Sequence, residues 1–256
     1  MRYGLIGEKL GHSYSKIIHE RIADYSYDLI PLSMEEFNAF MDKKDFTAIN
    51  VTIPYKQAVI PFLDELDPLA KEIGAVNTIV NHHGRYIGYN TDFFGFHYML
   101  EHNGIRIKDK KCLILGSGGT SHTVSAVFRH LGASQVLIVS RQSSDTTISY
   151  EECYSKHTDA QVIANTTPQG MYPNIDASPI DLTSFTRCEA VVDAIFNPLE
   201  TKLTQQAKQQ GMKGVTGLEM LVAQAKQAIE YFLDTKLEDS VIEDTYQYLL
   251  KVLRDK

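Results

Sequence analysis

The chain has 256 residues, enough for two domains of about 100–150 residues each. Its composition, 43% hydrophobic and 22% charged, is that of an ordinary globular protein. A net charge of −7 argues against general binding to nucleic acid or to an anionic membrane, which needs a basic footprint, but leaves room for an anionic small substrate held by local donors.

In chain order, residues 3–6 are strand-like and follow the N-terminal Met1-Arg2 directly. With no leader pattern or membrane-length apolar run, a cytoplasmic protein is expected. A helix is expected from Ser13 onward, with Ile17, Ile18 and Ile22 at helical spacing. Residues 27–32 form a second strand, and Ser33-Met34-Glu35-Glu36 is a capping box that opens the next helix. A third strand, 48–53, stops at Pro54 and presents Lys56. Residues 75–80 and 86–89 read as a hairpin around His82-His83-Gly84-Arg85, which predicts a mixed sheet. That hairpin runs out in Asn90-Thr91-Asp92, and 93–102 is a helix that leaves the first unit.

Residues 110–115 are a buried strand, followed by a glycine turn and a helix to about Leu131. Strands at 136–139, 162–164, 191–193 and 213–215 continue the rhythm of a doubly wound sheet. From Gly217 the pattern is helical, with Leu218, Leu221, Val222, Ala225, Ile229 and Phe232 on one face. Ser240 with Glu243 reads as a second capping box, before Tyr246, Leu249, Leu250 and Leu253. The fold class is α/β: a discontinuous substrate-binding domain with a mixed sheet (1–92 and 217–256) plus a Rossmann-like, doubly wound parallel-sheet cofactor domain (93–216).

Gly116-x-Gly118-x-x-Ser121 between a strand and a helix has the context of a dinucleotide fingerprint. Gly116 permits the tight turn, Gly118 lets backbone approach the pyrophosphate, and the small Ser121 allows helix–strand packing. Ser117, Gly119 and Thr120 complete the cradle, where a helix N-terminus offers N–H groups to phosphate. At the end of the following strand, where an acid would select NAD, the chain has Ser140-Arg141-Gln142. A guanidinium suits a 2′-phosphate, so NADP is the expected cofactor, with Arg141 as its determinant. The alternative is a solvated strand-end arginine.

Lys56 and Asp92, delivered from two strand ends, are a candidate proton-transfer pair, the alternative being a surface salt bridge. Beside a dinucleotide site, such a pair reads as a hydride-transfer enzyme. Cys112, Cys153 and Cys188 are far apart and show no metal or redox spacing, so reduced thiols are expected. The nine histidines form no metal pattern and read as structural or solvated.

Eight segments together carry a family resemblance. They are Gly11-His12-Ser13-Tyr14-Ser15, Asn50-Val51-Thr52-Ile53-Pro54-Tyr55-Lys56, Gly74-Ala75-Val76-Asn77-Thr78 and Gly88-Tyr89-Asn90-Thr91-Asp92. After these come Gly116 to Gly119, Asn165-Thr166-Thr167-Pro168-Gln169-Gly170-Met171, Asn197-Pro198-Leu199-Glu200-Thr201, and Gly217-Leu218-Glu219-Met220-Leu221-Val222-Ala223-Gln224. In this order, over nearly the whole chain, the sequence resembles the shikimate dehydrogenases. The resemblance implies reversible NADPH-dependent reduction of 3-dehydroshikimate to shikimate, on the route to chorismate and aromatic amino acids, with no metal. It implies that Ser13 and Ser15 hold the substrate carboxylate, that Thr52, Asn77 and Gln224 reach the ring hydroxyls, and that Lys56 and Asp92 are catalytic. It places Asn165, Thr166, Met171, Phe196 and Gly217 by the cofactor, has the two domains close on a cleft, and fits a monomer or homodimer.

Other uses of these residues stay open on the sequence alone. Ser13 and Ser15 serve equally as helix caps. Thr52 alternates with Val51 and Ile53 and so points to a cleft or to solvent. Four positions depart from the family pattern: Lys16 replaces proline, Glu20 replaces asparagine, Phe196 replaces tyrosine and Glu219 replaces glycine. Phe196 lacks the hydroxyl that the family places near the substrate, and Lys16 is a candidate compensating charge. A relative acting on quinate, with NAD, is one rival reading. A non-catalytic dinucleotide sensor is another, and the presence of both Lys56 and Asp92 argues against it.

Overall fold

The computed structural model describes residues 2–11 and 13–254. Among them the chain falls into two compact units. The first comprises the chain up to Gly95 and Val222–Lys251; the second runs from Phe96 to Leu221 and takes up the chain again at Val252.

The first unit is built from β1 (Tyr3–Gly7), α1 (Ser15–Ile22), β2 (Tyr27–Pro31), α2 (Met34–Lys43), β3 (Ala48–Val51), β4 (Glu65–Leu66), α3 (Pro68–Ile73), β5 (Thr78–His82) and β6 (Arg85–Tyr89). Its sheet has the order β2-β1-β3-β5-β6-β4. β1 pairs in parallel with β2 and β3, whereas β5 runs antiparallel to β3 and β6, so the sheet is mixed as the hairpin predicts. Successive residues feed opposite faces, as the two-residue strand period requires. Ile6, Ile49 and Ile79 join Phe37 and Met41 in one core. Their neighbours Leu5, Ala48 and Val80 join Tyr27 and Phe232 in the other.

α4 (Asp92–His102) carries the chain into the second unit. There follow β7 (Lys111–Leu115), α5 (Gly119–His130), β8 (Gln135–Ser140), β9 (Ile148–Ser149), α6 (Tyr150–Lys156), β10 (Val162–Asn165), β11 (Ala190–Asp193), α7 (Lys202–Gln209) and β12 (Lys213–Thr216). α8 (Leu218–Leu233) returns to the first unit and α9 (Ser240–Arg254) closes the described chain. The second sheet is parallel throughout, in the order β12-β11-β10-β7-β8-β9. Counted from β7, this is the dinucleotide-fold order, with the topological switch point between β7 and β10. Leu113, Leu115, Ile163, Val191, Leu203 and Phe185 fill one of its cores.

The helix starts divide by chemistry. The Ser33 box forms with both of its bonds. The box expected at Ser240 does not form: Ser240 is the first residue of α9 and its side chain makes no hydrogen bond among the described residues, and Glu243 accepts from Gln247 Nε2 at 2.8 Å instead. α1 begins at Ser15, two residues later than expected.

Candidate active site and cofactor turn

Beyond Val51 the chain leaves the sheet and is pinned on both sides of Lys56. Tyr55 is buried, stacked on Phe37 at 4.2 Å, and its hydroxyl donates to the Leu32 carbonyl at 2.6 Å. The Lys56 carbonyl accepts from Val76 N–H at 2.8 Å. Opposite, Asn90 caps the start of α4, its amide donating to the Ala75 carbonyl and its oxygen accepting from Phe93 N–H. These anchors bring Lys56 Nζ within 2.6 Å of Asp92 Oδ2, with the two side chains only 13% and 9% exposed. The pair is therefore not a surface salt bridge. Asp92 Oδ2 is the one acceptor of the ammonium among the described residues, so the group keeps N–H donors for a ligand.

Behind the pair lies a buried amide and hydroxyl network. Asn77 Oδ1 accepts from Thr91 N–H at 2.8 Å and from Thr78 Oγ1 at 3.1 Å, while Asn77 Nδ2 donates to Thr91 Oγ1 at 3.0 Å. Thr91 Oγ1 lies 3.3 Å from Gln224 Oε1, which brings the expected substrate residues Asn77 and Gln224 together on one hydroxyl. Asn50 supports them from below: its amide donates to Thr78 Oγ1 and the Asn77 carbonyl, and its oxygen accepts from Tyr27 O–H at 2.7 Å. His19 stacks on Tyr27 at 4.0 Å, and burial pushes its pKa down to about 3, so it stays neutral. Sequence reasoning named none of Tyr27, Asn50 and Thr78 as functional. Only the polar Asn50 inside an apolar strand was a visible signal.

Neither serine at the start of α1 caps it in the usual way; the cap residue is Tyr14, whose side chain makes no capping hydrogen bond. Ser13 Oγ accepts from Ser15 N–H at 3.2 Å. The Ser15 hydroxyl, in a residue 8% exposed, has no hydrogen-bond partner among the described residues. Thr52 is half-buried beside Gly7, but the expected alternation ends at Val51, since Ile53 is 71% exposed. Two of the family departures answer each other: Lys16 Nζ pairs with Glu20 Oε1 at 2.6 Å and donates to the Tyr27 carbonyl. That ammonium holds the Glu20 carboxyl below its ordinary range. Lys16 is thus tied to Glu20 and β2. His12 lies outside the described residues.

In the second unit, β7 ends at the glycine turn. Gly116 has φ +98°, and a Cβ there would meet Thr167 Cγ2 at 2.9 Å, so the turn requires glycine. A Cβ on Gly118 would meet nothing within 4 Å, which leaves open space at the N-terminus of α5. The first-turn N–H groups of a helix have no intrahelical acceptor. Ser121 is buried and donates its hydroxyl to the Gly118 carbonyl at 2.6 Å, tightening the turn. Ser117 Oγ lies 3.4 Å from Ser140 Oγ, which links the turn to the end of β8. Arg141 next to it is exposed and makes no hydrogen bond or ion pair among the described residues. Open space, free N–H donors and an unpaired guanidinium fit a dinucleotide phosphate group.

Of the remaining expected cofactor residues, Thr166 donates to the Leu115 carbonyl at 2.7 Å, Met171 is 46% exposed and Phe196 is half-buried. Gly217 is buried so closely that a Cβ would lie 2.3 Å from the Ala194 carbonyl oxygen. Asn165 is fully buried. Its amide donates to Asp193 Oδ1 at 3.0 Å, and its oxygen accepts from Thr167 N–H and O–H. Glu219, the fourth departure, accepts from Asn103 Nδ2 at 2.6 Å and pairs with His102, so it fastens the end of α4 to the start of α8.

Burial pushes the Asp193 carboxyl up to about 6, its three donors offsetting only part of the desolvation. With the folded value above the unfolded one, this group's stabilising contribution is complete below about pH 4 and is lost as pH rises through about 6. The loss is about 3 kcal/mol, from ~2 pKa shifts of 1.4 kcal/mol each. Asp193→Asn is therefore expected to flatten the fall in thermal stability between pH 4 and 7. Equal slopes in variant and wild type would reject this origin.

Residues 5–79, in the first unit, match the family described as the shikimate dehydrogenase substrate binding domain. A curated relative from Clostridium perfringens, named shikimate dehydrogenase (NADP(+)), is 37% identical, the match covering 96% of this chain and 97% of the relative.

The chain belongs to the shikimate dehydrogenase family.

The crystal structure of shikimate dehydrogenase 1 from Peptoclostridium difficile superposes with a TM-score of 0.89 at 35% identity, covering 97% of this chain and 98% of that one. The Thermus thermophilus shikimate 5-dehydrogenase, solved in complex with NADP(H) and shikimate, gives 0.85 at 28% identity, covering 97% and 99%. Among the described residues no helix is long and apolar enough to cross a membrane, and no group of three or more His, Cys, Asp or Glu side chains is gathered to hold a metal ion.

Proposed function

We propose that this shikimate dehydrogenase family member reduces 3-dehydroshikimate to shikimate reversibly with NADPH. The observation that carries the reading is the shielded Lys56–Asp92 pair, whose ammonium retains donors for a substrate oxygen. Bound NADPH supplies the hydride. Lys56 polarises the ketone and donates a proton to the developing alkoxide, while Asp92 fixes the ammonium in place. The Ser15 hydroxyl, in a residue 8% exposed and without a hydrogen-bond partner among the described residues, is the donor offered to the substrate carboxylate, with Ser13 beside it. Asn77 and Gln224, held by Thr91, address the ring hydroxyls, and the family resemblance adds Thr52 to them. The turn 116–121 holds the pyrophosphate and Arg141 the 2′-phosphate. Three buried free thiols fit a reducing, cytoplasmic setting.

The test is cofactor reduction by the purified protein with shikimate and quinate, each against NADP and NAD. Turnover confined to shikimate with NADP supports the whole reading. A preference for quinate makes Phe196 the mark of an altered substrate, and no turnover with any pairing rejects the activity. Arg141→Ala is expected to raise the NADP Michaelis constant about tenfold, the loss of one exposed charged contact of ~1.4 kcal/mol, and to leave that for NAD unchanged. An equal change for both cofactors would remove Arg141 as the determinant.

A further inference from the structure

Asp193 ends β11, and its neighbour β10 ends at Asn165. The carboxylate is fully buried and meets no cation among its hydrogen-bond partners. Instead it gathers three donors from two loops: Asn165 Nδ2 at 3.0 Å, Ile195 N–H at 3.0 Å and Thr201 Oγ1 at 2.8 Å. Asn165 relays the contact. With its amide turned to Asp193, its oxygen faces Thr167 and takes both the N–H, at 2.9 Å, and the hydroxyl, at 2.7 Å. Thr167 is the residue whose methyl would lie 2.9 Å from a Cβ on Gly116. Thr166 is meanwhile bonded through both N–H and Oγ1 to the Leu115 carbonyl at the end of β7. A line of bonded and touching groups thus runs from the end of β11, through the end of β10, to the glycine turn after β7, across the switch point.

We propose that Asp193 is a positioning residue for the cofactor, which fixes the loops 165–170 and 194–201 against the glycine turn through Asn165 and Thr201. Asn165 acts in the same way and is not itself a cofactor ligand, because every polar atom of its buried amide is taken by the protein. An acceptor-only group is needed at the hub, since all three of its partners donate. The proposal rests on the turn being the NADP site. A carboxylate that weakens the fold at neutral pH and still orders these loops separates the two roles experimentally.

The experiment is NADPH binding by the full chain, followed by cofactor fluorescence, which no tryptophan obscures. Asp193→Asn keeps the shape but replaces one acceptor oxygen with a donor. It is expected to weaken NADPH binding about fivefold or more at pH 8 without lowering thermal stability there, and to leave the Michaelis constant for shikimate within about twofold. Thr201→Val, which removes one donor, is expected to weaken binding in the same way, and Thr201→Ser to restore it. The threonine pair decides the matter if the Asp193 variant does not fold. Variants that bind NADPH within about twofold of a normally binding wild type would overturn the proposal alone. A wild type that does not bind NADPH would overturn the cofactor reading with it.

Discussion

Replacing Lys56 by alanine is expected to lower turnover of shikimate with NADP by about 10²–10⁴-fold, the usual worth of a positioned acid–base group. NADPH binding should be unchanged, because the proposed partner of Lys56 is the substrate ketone and not the cofactor phosphates. The size of the effect follows from the surroundings. The ammonium and its partner are 13% and 9% exposed, so water does not replace the lost donor as it would on an open surface. The same shielding makes the substitution costly for the fold. It leaves the Asp92 carboxylate without its cation, for which about 3 kcal/mol is the ordinary penalty in a buried pair. Lys56→Ala/Asp92→Ala should therefore be more stable than Lys56→Ala alone and no more active. Steady-state rates and thermal unfolding on the same preparations check both halves. A fall in turnover of less than about tenfold would take Lys56 out of the mechanism.

The legibility of this site in the sequence was uneven, for physical reasons. Lys56 and Asp92 stand at strand ends that punctuation marks clearly: Pro54 stops one segment and the start of a helix stops the other. The glycine turn announced itself because its backbone demands glycine at φ +98°, and open space lies beside Gly118. Short elements left weaker signals. β4 and β9 have two residues each, too few to show a period. α3 had its cues in Asp67 at the cap and Pro68 in the first turn, but its six residues give little periodicity. The second capping box failed because Ser240 and Glu243 have the right spacing while Ser240, the residue that would cap the helix, is already its first residue. What spacing could not reveal at all was support. Asn50, Thr78 and Asp193 act through partners 27, 13 and 28 residues away, and those contacts exist only after the strands are paired. The departures at Lys16 and Glu20 looked independent in the sequence; folding makes them one ion pair.

Asn50→Leu should lower stability by about 2–3 kcal/mol, or roughly 5–10 °C in the melting temperature. Leucine fills nearly the same volume, so the loss comes from polar accounts and not from a cavity. Asn50 Oδ1 is the acceptor of the buried Tyr27 hydroxyl at 2.7 Å, and leucine leaves that hydroxyl without it. The Asn77 carbonyl and Thr78 Oγ1 each lose one donor but keep others, in Val51 N–H and Thr91. The penalty therefore concentrates on Tyr27. This gives the prediction an internal control, because removing both partners of a buried hydrogen bond costs less than removing one. Tyr27→Phe/Asn50→Leu should be more stable than Asn50→Leu alone, although it carries one more substitution. The functional effect should not recover with the stability. Asn77 and Thr78 remain without their shared support in both proteins, so the Michaelis constant for shikimate is expected to stay raised by about three- to tenfold while that for NADP stays put. A double variant no more stable than the single one would show that the orphaned hydroxyl is not the origin of the loss. A shikimate constant that returns to the wild-type value along with stability would show that Asn50 holds up the sheet and not the substrate residues.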